Sequence, residues 1–126
     1  MRSDAFRSAA EAKDFSRLDD FFADDAVFRS PVVFKPYEGR EAMRAVLEAV
    51  VQVFEDFRYV EQVEAGDTAI LMFHARVGDR ELQGVDILRF GAEGRAEELI
   101  VMVRPMSGMN ALAERMRELL EAAGAK

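Results

Sequence analysis

The sequence contains no cysteine and only one histidine among its 126 residues. The absence of cysteine excludes disulfides, thiolate nucleophiles and cysteine-based zinc sites. A single histidine also leaves too few imidazoles for a histidine-rich metal site. We therefore expect a protein that uses neither a metal nor any other cofactor.

Long apolar runs and a basic surface are also lacking. No window approaches the roughly 20 uncharged apolar residues that span a bilayer, and the N-terminus has no apolar segment typical of a secretory signal. The formal net charge is −7, which disfavours nucleic acid, because recognition of the phosphate backbone needs a basic face. We expect a cytoplasmic protein with neither a nucleic-acid nor a membrane partner.

Half of the residues are hydrophobic, which is enough to build one substantial core, so we predict a single domain over residues 1–126. Apolar residues recur at helical spacing over residues 4–22, which predicts two short helices or one bent helix with a possible break at Asp14. Helical spacing recurs over residues 40–57 and predicts a longer helix. A short apolar segment at residues 26–31 predicts a strand between these two helical regions.

From about Arg58 the apolar period becomes strand-like, and three short turns divide the stretch into four strands. These turns lie at residues 64–67, 77–80 and 91–94. Helical spacing returns after Pro105. The order predicts an α+β fold, in which a curved antiparallel sheet wraps around N-terminal helices and a C-terminal helix follows.

The segment "ELQGVDILRF" is apolar on both faces of its predicted strand. Val85 and Ile87 lie on one side, and Leu82, Leu88 and Phe90 lie on the other. Helices cover only one face of the predicted sheet, so the second apolar face needs another cover. A homodimer would supply it.

Asp86 shares a face of this strand with apolar neighbours. Burying a carboxylate in such a position costs free energy, unless the carboxylate is paired with another group or has a catalytic role. Apolar surroundings would also raise its pKa, which suits a general acid or base. The alternative is an aspartate held in an ion pair or by a backbone amide, without a catalytic role.

Four segments resemble the nuclear transport factor two-like superfamily, in particular its SnoaL-like bacterial branch. That superfamily also contains ketosteroid isomerases and limonene epoxide hydrolases. The matching segments are "LDDFFADDAVFRSP" (Leu18–Pro31), "YEGREAMRAVL" (Tyr37–Leu47), "GVDILRFGAEGRAEEL" (Gly84–Leu99) and "VRPMSGMNAL" (Val103–Leu112).

The resemblance implies one SnoaL-like domain with a cone-shaped apolar pocket, a small hydrophobic molecule as ligand, and frequent dimerisation. It implies no single reaction, because this scaffold hosts isomerases, cyclases, hydrolases and proteins without catalysis. Asp86 matches a catalytic aspartate that the epoxide hydrolases carry on the equivalent strand. Those enzymes have an arginine two residues earlier, where this chain has Gly84, and a second carboxylate where this chain has Arg104.

Arg104 is therefore a candidate partner of Asp86. In one interpretation Arg104 holds an anionic or enolic oxygen while Asp86 moves a proton. In the other, the two residues form a salt bridge without turnover.

The direction of His74, the third catalytic candidate, depends on the length of the turn at Gly78-Asp79. A two-residue loop places His74 opposite Gln83 and Asp86 opposite Leu71, so that the two candidates point to opposite faces. A three-residue loop or a bulge places them on the same face. An inward His74 would suit proton transfer near neutrality, whereas an outward one would be a packed or interface residue.

Five further residues are candidates for binding the substrate. The resemblance places Tyr37 in a loop that closes the pocket, where its hydroxyl would orient a carbonyl group; the alternative is a half-buried aromatic residue. The others are large apolar residues that belong either to the core or to the pocket wall: Phe28, Phe73, Phe90 and Met102.

Our first hypothesis is a cofactor-independent isomerase or cyclase that acts by proton transfer on an apolar carbonyl compound. The alternative, from another class, is a non-catalytic module that binds a hydrophobic ligand or dimerises. Epoxide hydrolysis is a third interpretation. The sequence differs from the epoxide hydrolases at two positions, Gly84 and Arg104.

Overall fold

The computed structural model describes residues 1–122 and contains three helices and one six-stranded sheet. The helices are α1 (Asp4–Ala12), α2 (Arg40–Val53) and α3 (Met106–Ala122), and a 3₁₀ turn spans Leu18–Asp20. The strands are β1 (Phe22–Arg29), β2 (Tyr37–Glu38), β3 (Glu55–Ala65), β4 (Thr68–Val77), β5 (Arg80–Phe90) and β6 (Ala96–Arg104).

The spatial order of the strands is β2-β1-β6-β5-β4-β3. The pairs β3-β4, β4-β5 and β5-β6 form the antiparallel meander that the three turns predict. β1 pairs with β6 in parallel, so the curved sheet is mostly rather than wholly antiparallel. The predicted α+β class with a C-terminal helix is confirmed.

Of the two alternatives predicted for residues 4–22, the structure has two short helical segments, α1 and the 3₁₀ turn, and the break begins at Lys13, next to the expected Asp14. α1 ends after Ala12, and Lys13 adopts the left-handed conformation at its C-terminus, with its N–H bonded to the carbonyl of Ala10. Such a left-handed cap satisfies carbonyls at a helix end and stops the helix. Phe22 is the first residue of β1, so the predicted strand at residues 26–31 begins four residues earlier and ends at Arg29.

All three helices pack on one face of the sheet, which we call the inner face. α1 contacts β3, α2 contacts β1, and α3 contacts β4, β5 and β6. Gly108 lets α3 approach closely, because a Cβ atom there would lie 2.9 Å from the Cβ atom of Leu82. Inward side chains such as Leu71, Phe73 and Leu99 are fully buried, and their burial against the helices forms the core.

The opposite, outer face of the sheet carries two adjacent rows of aliphatic side chains. Register places Met72, Val85 and Met102 in one row across three strands. The next row contains the residues Val63, Ile70, Ile87 and Ile100. None of the three helices packs over these rows, and Met102 remains 55% exposed.

Candidate functional site

Asp86 on β5 is the buried carboxylate of the inner face. It pairs with Leu71 of β4 on one side and Val101 of β6 on the other. Its exposure is 6%. This burial raises the pKa of Asp86 to about 7, because a desolvated carboxylate loses the hydration that stabilises its charge.

Tyr59 on β3 is the polar partner of this carboxylate. Its hydroxyl donates a hydrogen bond of 2.6 Å to Oδ2 of Asp86, which lowers the pKa of Asp86 and so offsets part of the burial effect. Burial and the nearby carboxylate raise the pKa of Tyr59 well above its usual value. The phenol therefore remains a protonated donor across the neutral range.

The two residues meet because of the register of three neighbouring strands. Tyr59 pairs with Phe73 of β4, and Phe73 pairs with Gly84 of β5, two positions before Asp86. Gly84 allows this arrangement, since a Cβ atom there would overlap the Phe73 ring and lie 2.7 Å from the carbonyl oxygen of Met102. The phenol of Tyr59 thus reaches diagonally over β4 to the carboxyl of Asp86.

Asp86 and Tyr59 lie in the wall of a cavity of about 60 Å³, between the sheet and the helices. The other lining side chains are almost all apolar and come from the three helices, the inner face of the sheet and the segments that connect them. The polar exception, Ser30, lies in the segment that follows β1. The aromatic residues of the wall are Phe6, Phe15, Phe28, Phe54, Phe57 and Phe73.

This arrangement suits proton transfer in an apolar environment. A carboxyl with a pKa near 7 exists in both forms at neutral pH, so it can accept a proton or donate one. Tyr59 occupies Oδ2, and among residues 1–122 no side chain or backbone group bonds to Oδ1. Oδ1 is the oxygen left for a bound molecule.

His74 points to the outer face, away from this cavity. The turn at Gly78-Asp79 has two residues, Val77 pairs with Arg80, and His74 pairs with Gln83. The structure thus selects the opposite-face alternative for His74 and Asp86. The amide Nε2 of Gln83 lies 3.0 Å from Nε2 of His74, and this contact gives His74 a packing role on that face.

The expected pair of Asp86 and Arg104 is wrong. Arg104 pairs with Gln83, whereas Asp86 pairs with Val101, three residues earlier on β6. An odd separation along a strand reverses the face, so Arg104 points outward. Its Nη1 donates a hydrogen bond of 2.7 Å to Oε1 of Gln83. From this position Arg104 cannot hold an oxygen of a molecule bound beside Asp86.

Of the five predicted substrate-binding residues, two line the cavity and three do not. Phe28 and Phe73 line the cavity beside Asp86. Tyr37 stacks on Phe28, with ring centroids 5.9 Å apart, and lies outside the cavity wall. Phe90 is buried in the core under the guanidinium of Arg2. Met102 faces outward because it is one residue from inward-facing Val101.

Tyr59 is the residue of the site that the sequence reasoning missed. A β-bulge between Tyr59 and Glu61 shifts the register of β3, so the alternation along the strand does not reveal which face Tyr59 occupies. Phe57 and Tyr59, two residues apart and both aromatic, give a weak signal for a shared inward face.

Two further observations concern metals and membranes. No group of three or more carboxylate or histidine side chains within residues 1–122 is placed to hold a metal ion. No helix of the part of the chain that the structure describes is long and apolar enough to cross a bilayer.

The structure is that of a small α+β protein with a buried acid–phenol pair, and comparison with known proteins identifies its family. The model of the SnoaL-like domain matches residues 4–99. The chain belongs to this family, within the nuclear transport factor two-like superfamily. None of the curated proteins compared with the chain matches it.

Solved structures include a close relative. A steroid delta-isomerase from Pseudomonas aeruginosa is 42% identical, with a TM-score of 0.91, over 98% of this chain and 93% of that one. A bacterial protein with a cystatin-like fold from Silicibacter pomeroyi DSS-3 is 29% identical, with a TM-score of 0.88, over 92% and 82% of the two chains. A putative SnoaL-like polyketide cyclase from Jannaschia sp. CCS1 shares the fold, with a TM-score of 0.73, at 10% identity over 89% of each chain.

Proposed function

We propose that this chain is a cofactor-independent isomerase or cyclase that acts by proton transfer on an apolar carbonyl compound. The observation that carries the proposal is the hydrogen-bonded pair of Asp86 and Tyr59 in an otherwise apolar cavity. The 42% identity to a steroid delta-isomerase supports the isomerase form of the proposal. A small hydrophobic ligand and a cytoplasmic location belong to the same proposal.

In the proposed reaction, the ionised Asp86 removes a proton from a carbon next to the carbonyl group. The electron pair of the broken C–H bond moves into the carbonyl and forms an enolate. Once Asp86 carries the proton, its carboxyl is a weaker acceptor, and the Tyr59 hydroxyl can donate instead to the enolate oxygen. Asp86 then returns the proton to another carbon of the conjugated system, which completes an isomerisation without net gain or loss of atoms.

A non-catalytic module that binds a hydrophobic ligand is the second candidate. The small cavity favours it, because about 60 Å³ holds little more than a few water molecules unless the lining side chains move. Epoxide hydrolysis has less support, since Asp86 is the one carboxylate among the described residues that line the cavity. A homodimer that covers the outer face also remains a proposal.

The test is isomerisation of a β,γ-unsaturated steroid ketone, followed by the absorbance of its conjugated product. Asp86→Asn keeps the shape of the side chain and should remove most of the activity, about 10²-fold or more. Asp79→Asn is the matched control, because this aspartate is exposed in the turn between β4 and β5. Equal rates in wild type and Asp86→Asn would overturn the proposal. Ligand binding without turnover in both proteins would favour the binding module.

A further inference from the structure

Arg7 of α1 lies over the phenol that donates to Asp86. Its guanidinium carbon is 5.7 Å from the centroid of the Tyr59 ring, within the distance of about 6 Å at which a cation is attracted to an aromatic face. The rings of Phe57 and Phe73 meet the Tyr59 ring at 88° and 89°, so neighbouring side chains hold the orientation of that ring. A positive charge therefore lies against the hydrogen-bond donor of the buried carboxyl.

A β-bulge in β3 brings Tyr59 and Gln62 to the same face, below α1. Tyr59 pairs with Phe73 of β4. The register then shifts, and Gln62 pairs with Leu71, which is buried on the inner face as Phe73 is. In a regular strand a separation of three residues would place Tyr59 and Gln62 on opposite faces. The bulge is therefore what lets both of them contact Arg7.

Gln62 holds the guanidinium in this position. Nη1 of Arg7 donates a hydrogen bond of 2.9 Å to Oε1 of Gln62. Nε2 of Gln62 donates in turn to Oγ of Ser3 and to Oδ1 of Asp4. Ser3 is fully buried, and its hydroxyl and backbone N–H both donate to Oε2 of Glu64. The position of Arg7 thus depends on a connected network rather than on a single exposed ion pair.

Two carboxylates act on the phenol in the opposite direction to Arg7. Oε2 of Glu11, one turn further along α1, lies 3.4 Å from Nε of Arg7, and Asp86 of β5 accepts the hydrogen bond of the phenol. Burial raises the pKa of Tyr59 most and the two carboxylates raise it further, whereas the guanidinium of Arg7 lowers it. α2 and α3 contribute apolar side chains to the cavity wall. Arg7 thus supplies the positive charge that makes the phenol a stronger donor.

A stronger donor matters at two stages of the proposed reaction. Before the reaction Tyr59 donates to Asp86 and favours the ionised form, which is the base. During the reaction the same hydroxyl donates to the enolate oxygen, where negative charge develops. Both acceptors are anionic, so a cation against the ring of the donor stabilises both.

We propose that Arg7 is a positioning residue of the proposed reaction: its guanidinium, held over the Tyr59 ring, strengthens the phenol as a hydrogen-bond donor to Asp86 and to the enolate oxygen. The inference rests on the proposed function of the cavity. Arg7 is not among the residues that line this cavity, so it acts through Tyr59 and not on a bound molecule.

Substitutions of two arginines test it. Arg7→Met removes the charge and keeps an unbranched side chain, whereas Arg7→Lys keeps the charge. Arg2→Met is the matched control, because the guanidinium of Arg2 lies 4.6 Å from the centroid of the Phe90 ring, which has no hydroxyl. Carbon-13 NMR measures the pKa of Asp86 in each protein. The pH dependence of kcat/KM for the β,γ-unsaturated steroid ketone reports the same ionisation in the active protein.

We expect Arg7→Met to raise the pKa of Asp86 by about half a pH unit and to move the acidic limb of the kcat/KM profile to higher pH by the same amount. Arg7→Lys should give a smaller rise, and Arg2→Met none. In a Tyr59→Phe background Arg7→Met should leave the pKa of Asp86 unchanged, because the ring remains and the hydroxyl does not. A purely structural role of Arg7 would lower stability without moving the pKa.

An unchanged pKa in Arg7→Met, an equal rise in Arg2→Met or in Arg7→Lys, or the same rise with and without the Tyr59 hydroxyl would each overturn the inference. In an active wild type, a kcat/KM profile that does not move in Arg7→Met would overturn it as well. The NMR titration needs no substrate. Absence of turnover in wild type would therefore contradict the proposed function without changing the result for Arg7 and Tyr59.

Discussion

The hydroxyl of Tyr59 donates a 2.6 Å hydrogen bond to Oδ2 of Asp86 on the buried face of the sheet. Burial raises the pKa of this carboxyl and the hydrogen bond lowers it, with a net value of about 7. The carboxyl thus titrates near neutrality, whereas the phenol keeps its proton. This difference assigns proton transfer to Asp86 and hydrogen bonding to Tyr59 in the proposed function.

Because Asp86 is buried, the free energy of unfolding should decrease as the pH rises from about 4 to about 7. Its pKa is near 3.9 in an unfolded chain and about 7 in the fold. Between these values the folded state retains a proton that the unfolded state has lost, so the free energy of unfolding decreases with pH. The decrease is on the order of 4 kcal/mol and is complete above pH 7.

Asp86→Asn removes this titration and isolates its effect from that of the other carboxylates. We expect the variant to match wild type near pH 4 and to be more stable at pH 8, because an amide has no charge to desolvate. Urea denaturation at a series of pH values measures both proteins. Stability curves that run parallel from pH 4 to pH 8 would show that Asp86 is not desolvated in the fold.

Tyr59→Phe should raise the pKa of Asp86 further. The variant keeps the ring in the cavity wall and removes the donor that stabilises the ionised carboxylate. A hydrogen bond to a charged group contributes about 1.5–3 kcal/mol, which corresponds to about one to two pH units. Carbon-13 NMR of the aspartate carboxyl measures the shift. Tyr37→Phe is the control, since Tyr37 lies outside the cavity wall, and an unchanged pKa in Tyr59→Phe would refute the role of its hydroxyl.

Gly84→Ala should destabilise the fold by about 1–3 kcal/mol, because its Cβ atom would enter the space of the Phe73 ring. Phe73→Leu shortens that neighbour and should relieve part of the clash. Urea denaturation of the two single variants and the double variant gives the coupling energy. We expect the double variant to lose less stability than the sum of the single losses. Simple additivity would mean that Gly84 is not required for the placement of Phe73.

The sequence left two registers open for the hairpin at Gly78-Asp79, and the structure selects the two-residue turn, in which Gly78 has the positive φ that such turns require. That turn alone separates His74 from Asp86. The antiparallel order of β3 to β6 and the C-terminal helix follow from turn spacing and periodicity, whereas the parallel pairing of β1 with β6 was not predicted.

The hydrogen-bond partner of Asp86 could not be predicted from the sequence. Arg104 and Asp86 are on different strands, and a difference of one residue in register decides whether two such residues share a face. The bulge after Tyr59 has the same effect on β3. The identity of the pair therefore depends on tertiary register, which local patterns do not determine.

The most direct measurement is the titration of the Asp86 carboxyl by carbon-13 NMR in the wild-type protein, with Asp86→Asn to assign the signal and His74→Asn as a control on the outer face. We expect a pKa of about 7 in wild type and the same value in His74→Asn, since the sheet separates the two side chains. A pKa near 4, the value of a hydrated aspartate, would contradict the account of a buried proton-transfer group.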